Sequence, residues 1–182
     1  MSHNRHSCSP SRPPLLGGAL LIVALALAAG PEAVRAQFAA DCASRTPSNA
    51  SIILPADLEV VVDGRALRRV EVAVVAPGGT CVGSTRWAGE AAAVVAWGTD
   101  GEVGRTSLPD DVAPEEVLAP GDTMHVRLLD LVTGTQYTGS NSRVELSFRT
   151  NEPYLETGPR YVPNGIYVLD RIRVHQGLAG RD

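Results

Sequence analysis

Lysine is absent from this sequence, so its 16 basic side chains are all arginine, set against 20 carboxylates for a formal net charge of −4. An acidic surface repels phosphate backbones, and no basic stripe interleaved with aromatics offsets it, which argues against a nucleic-acid partner. Aromatic residues are scarce at 4% of the chain, which leaves a dedicated sugar-stacking platform under-supplied. Long apolar runs are missing after the first 36 residues, so nothing in the remainder is long enough to span a membrane as a helix. Missing too is any convincing amphipathic helix of 10 or more residues between the strand-like segments, which a parallel α/β sheet would need.

The first residues differ from the rest. Arg5 and Arg12 give a basic start, Leu15 to Ala29 is an uncharged apolar run, and Val34-Arg35-Ala36 offers small residues where a signal peptidase reads them. The apolar run is 15 residues where a spanning helix needs about 20, so residues 1–36 read as a signal peptide rather than an anchor. Export would leave 13 arginines against 19 acids, a net charge of −6. It would also remove Cys8 and leave Cys42 and Cys81 as the only thiols in an oxidising compartment, where they are expected to bond to each other. Asp41 stands just before Cys42, where a lipoprotein signal requires a small residue.

Residues 37–49 read as an N-terminal arm, 50–176 as the folded domain and 177–182 as a frayed tail. Val70, Val72 and Val74 alternate with Glu71 and Ala73, the period of a strand with one buried face. Ala91 to Trp97 is apolar throughout and reads as a strand buried on both sides. Between them lies Cys81 to Trp87. Asp63-Gly64 is a strong hairpin signal between Leu58 to Val62 and Leu67 to Val74. Val144, Leu146 and Phe148 alternate with charged and polar neighbours, and Ile166 to Val174 forms the last strand, with a phase slip at Leu169-Asp170 that predicts a bulge. Between residues 99 and 122 the composition turns to Gly, Pro and acids, as in a long surface loop with one helical turn at Pro114 to Leu118. About nine short strands without helices predict an all-β fold, an antiparallel Ig-like β-sandwich, with a jelly roll or small barrel as alternatives.

Four pieces carry a resemblance: Asp41-Cys42 through Pro55, Gly79-Thr80-Cys81-Val82-Gly83 leading to Trp87, Ala91 to Gly98, and Pro120-Gly121-Asp122 leading into the Val126 strand. Together with Val162 to Leu169 they resemble the Ig-like β-sandwich repeats of secreted or cell-surface bacterial proteins, especially multidomain proteins exported by the type IX system. The resemblance implies adhesion, scaffolding or ligand display, and no activity that transfers to a named residue.

No residue is assigned a catalytic role. Ser, His and Asp are present without a nucleophile elbow, and acids are present without the paired placement that glycoside cleavage needs. Asp100, Glu102, Asp110 and Asp111 offer the hard oxygens calcium prefers, although they lack EF-hand spacing. Trp87, Tyr137, Tyr154 and Tyr161 are the aromatics placed to stack on a glycan. His125 and His175 would approach each other for a metal only if their strands were neighbours. The expectation is a non-catalytic secreted or cell-surface module for a protein or surface-polymer partner. A carbohydrate- or calcium-binding module is the alternative, and a secreted hydrolase comes third.

Overall fold

The structure, a computed structural model, describes residues 38, 42, 46, 48–101, 108 and 113–177. The chain divides into Met1–Arg35 and Ala36–Asp182, and every described residue belongs to the second unit. The expected signal peptide, most of the arm and residues 178–182 of the tail lie outside the described residues.

The described chain is all β, in two sheets. In chain order the strands are β1 (Ser48–Leu54), β2 (Glu59–Val62), β3 (Arg65–Ala66), β4 (Val70–Val75), β5 (Cys81–Trp87), β6 (Ala92–Gly98), β7 (His125–Asp130), β8 (Gln136–Tyr137), β9 (Ser142–Phe148) and β10 (Ile166–Gln176). The expected helical turn is a 3-10 turn at Pro114–Glu116, with Pro at its start.

β10 is the spine of the larger sheet. Its first half pairs with β1 and its second half with β2, both in parallel, while β9 runs antiparallel along its other edge. β6 then pairs with β1, and β3 with β2. The smaller sheet has the order β5-β4-β7-β8 and is antiparallel throughout. The expectation of a purely antiparallel fold is corrected by the two parallel ladders. They arise because β1 and β2 follow one another along a single edge of β10, stepping from one ladder to the next at Pro55, which has no N–H to donate. The bulge expected in β10 is present, as a register shift between Leu169 and Arg171.

Two readings of burial are reversed. β4 is buried along its whole length, Glu71 and Ala73 included, where one face was expected to meet water. Ala73 packs with Phe38, Cys81 and Leu129 on the side of the sheet away from the main core, and the Cys42–Cys81 disulfide, with Cα atoms 4.4 Å apart, holds the arm there. β6, by contrast, alternates, with Ala93 and Val95 exposed, because it is the last strand of the larger sheet and packs on the core with one face only. The Asp63-Gly64 turn, with φ of 46° and 82°, joins β2 to the two-residue β3 rather than to β4. From Leu67 the chain crosses to the other sheet.

Candidate functional site

The side of the fold that contains β8 and β9 stays open. β8 is two residues long and covers only Leu128 and Leu129 of β7, so the first half of β7 has no strand on that edge among the described residues. Among the described residues β9 pairs with β10 alone. Its inward residues Val144, Leu146 and Phe148 are only half-buried, although they pack against the main core.

Between β7 and β9 this leaves a cleft of about 570 Å³. Met124, Val126, Val144 and Leu146 supply its apolar surface. His125, Arg127, Thr138 and Ser140 supply the polar rim. Arg127 reaches the site from β7 and is steadied by donating from its guanidinium to the Gly79 carbonyl at 3.0 Å. Thr138 and Ser140 sit on the turn from β8 to β9, which is tied down locally. The Thr138 N–H donates to the Asn141 side-chain oxygen at 2.8 Å, and both the N–H and the hydroxyl of Ser142 donate to the Thr138 carbonyl at 2.9 Å. The hydroxyls of Thr138 and Ser140 are 2.8 Å apart, so Ser140 is engaged with its neighbour on the turn rather than with His125.

One end of the cleft is walled by Pro159, whose carbonyl accepts from the Met124 N–H at 2.7 Å. That wall is fixed from the core. The Tyr167 hydroxyl donates to the Arg160 carbonyl at 2.5 Å and accepts from the Val162 N–H at 2.9 Å. Burial pushes its pKa up to about 12, so it remains a donor across the ordinary pH range. Tyr167 also meets Phe148 edge to face, with ring centres 5.9 Å apart.

Chemically, the cleft can accept an apolar group against its aliphatic surface and hydrogen-bond a polar one at its rim. No acidic residue lines it among the described residues, so the charge it offers is positive within a chain of net charge −4.

Most residues singled out from the sequence lie elsewhere. Cys42 and Cys81 are brought together as expected. Asp100 is described, whereas Glu102, Asp110 and Asp111 lie outside the described residues. Among the described residues, no three His, Cys, Asp or Glu side chains converge as a metal site requires. Trp87, Tyr137 and Tyr161 are 4%, 2% and 0% exposed, so only Tyr154, at 66%, presents a ring to solvent. The glycan-stacking assignment is corrected for those three. Trp87 closes the core and donates its indole N–H to the Pro55 carbonyl at 2.9 Å, Tyr137 lies opposite Leu128, and Tyr161 sits against Gly98. His125 and His175 belong to different sheets, and His175 lies 3.6 Å from the Glu145 carboxylate.

Arg127, Thr138, Ser140, Val144 and Leu146 were not singled out for a site from the sequence. Their role depends on which strand edges are left without a neighbour, and alternation along one strand carries no such information.

No family model, curated protein or solved structure gives a significant match to the chain. No helix among the described residues is long and apolar enough to cross a membrane.

Proposed function

We propose that this chain is a non-catalytic structural or protein-interaction module, secreted or held at a cell surface, and that the cleft between β7 and β9 is its recognition surface. The observation that carries this reading is the half-buried apolar surface of Val144 and Leu146 beside a strand edge that has no partner strand among the described residues. Aliphatic surface left open next to donors such as Arg127 and Thr138 is the usual composition of a binding site. A disulfide is at home in an oxidising compartment, which supports the secreted or surface setting.

A photo-crosslinking amino acid placed at Ser140, with a control at Arg173 on β10, tests this against the surface protein and glycan fractions of the source. Crosslinking of polypeptide from Ser140 but not from Arg173 is the expected result. Labelled glycan, or equal labelling from both positions, would overturn it.

A further inference from the structure

We infer that the cleft takes an extended strand from a partner polypeptide, which adds to the edge of β9 that has no strand on it among the described residues, rests alternate apolar side chains on Val144, Leu146 and Val126, and meets Arg127 with a carboxylate. This rests on the reading of the cleft as a protein-recognition surface and specifies how recognition occurs.

The direction of the backbone groups carries the argument. The Asn141 carbonyl accepts from the Gly177 N–H at 3.4 Å, and the Arg149 N–H donates to the Val168 carbonyl at 2.8 Å, so the odd-numbered residues of β9 face β10. The Ser142 N–H points the other way, to Thr138 at 2.9 Å. By alternation the N–H and C=O groups of Val144, Leu146 and Phe148 face away from β10, toward the open edge. On β7 the same parity holds: Met124 bonds Pro159 and the Asp130 N–H bonds Thr135 at 2.9 Å, which leaves Val126 facing the cleft between them.

Backbone groups repeating every second residue along an edge are matched by another strand, not by a compact small molecule. The edge from Val144 to Phe148 is roughly 15 Å long at the rise of an antiparallel strand, enough for about five residues of partner. Side chains of an added strand that point inward would cover Val144 and Leu146, completing the burial the fold leaves unfinished. The charge of the partner follows from the lining, which holds His125 and Arg127 and no acid among the described residues. On the solvent face of β9, Arg143 pairs with Glu145 at 3.4 Å and Glu145 with His175 at 3.6 Å, charges that discourage indiscriminate pairing at this edge.

The test selects linear peptides of about a dozen residues from a displayed library on the oxidised full chain. Amide exchange is then followed by NMR with a selected peptide bound. The expected peptides alternate apolar and polar residues and carry an acid. Binding should slow exchange at Val144 and Leu146 by roughly tenfold or more while leaving Glu145, already paired to β10, unchanged. Arg127→Glu, with wild-type melting as its folding control, should weaken those peptides roughly tenfold and turn the selection toward basic ones. Peptides that bind through Arg127 without protecting Val144 and Leu146 would overturn strand addition and leave the cleft as the recognition surface. Concentration-dependent protection of the same amides without peptide would replace the partner with a second copy of the chain. Absence of any peptide sensitive to Arg127 would overturn both the inference and the reading beneath it.

Discussion

Gly83 of β5 lies so close to Val95 of β6 that a Cβ at Gly83 would overlap the Val95 carbonyl oxygen. The two strands belong to different sheets, and this approach closes one long side of the fold. Among the described residues the side that contains β8 and β9 has no such seam, and the cleft lies there. The Val95 carbonyl oxygen and carbon it would meet are backbone atoms, so neither can rotate aside. Gly83→Ala is therefore expected to cost about 3 kcal/mol in urea unfolding. Gly139→Ala, where a Cβ meets nothing within 4 Å, should stay within about 0.5 kcal/mol.

The cleft surface should matter less to stability than the core of the same fold. Leu128 is fully buried, and Leu128→Ala should cost about 3 kcal/mol, whereas Leu146→Ala on half-buried β9 should cost about 1 kcal/mol. Chemical denaturation of both variants checks this. Equal costs would mean that Leu146 is as enclosed as the core.

Asp130 makes a pH-dependent contribution whose sign is fixed by its surroundings. Burial pushes its carboxyl up, but the Val132 N–H, the hydroxyl and N–H of Thr133 and the Arg65 guanidinium together hold it below the ordinary value of 3.8. A lowered folded pKa gives stability that is present above 3.8 and is lost as pH falls from there through the folded value. Asp130→Asn keeps the shape and loses the anion that accepts at 2.9 Å from both Val132 and Thr133. It should cost about 1–3 kcal/mol at neutral pH and flatten the acid limb of a stability curve measured against pH.

Reduction of Cys42–Cys81 opens a loop whose ends are 39 residues apart. The chain-entropy model gives a loss of about 4 kcal/mol. Release of the arm should also uncover Ala73 of β4 and Leu129 of β7 on the outer side of the smaller sheet. Melting with and without reductant measures the first effect, and binding of an apolar dye measures the second.

Tyr167→Phe removes the bonds to Arg160 and Val162 while leaving the ring against Phe148. A stability loss of about 1–2 kcal/mol is expected. Because those bonds hold the segment that carries Pro159, peptide binding at the cleft should weaken more than it does in an equally destabilised variant far from that wall. Equal weakening would show that Tyr167 serves the core alone.

Much of the fold was legible in advance because it follows from local rules. The alternation of Val144, Leu146 and Phe148 and the phase slip at Leu169-Asp170 are written in neighbouring residues and are present, and so is the Asp63-Gly64 turn, although it leads into β3 rather than β4. The misreadings of β4 and β6 share a cause. An all-apolar strand and an alternating one differ in what covers their faces, and the cover over β4 comes from Phe38 and Cys42, more than 25 positions away. The aromatics misled for a similar reason, since Trp87 and Tyr161 are held inside by Pro55 and Gly98 from distant segments.

Composition and period thus determined, unaided, that the described chain builds strands and that its net charge is negative, and they pointed to Cys42 and Cys81 as the bonded pair. Tertiary structure alone decided where the opening falls. Period and propensity are properties of adjacent residues, whereas an unpaired edge is set by which distant strand fails to arrive: β8 ends after two residues and leaves the first half of β7 uncovered, and among the described residues β9 has β10 as its one strand neighbour.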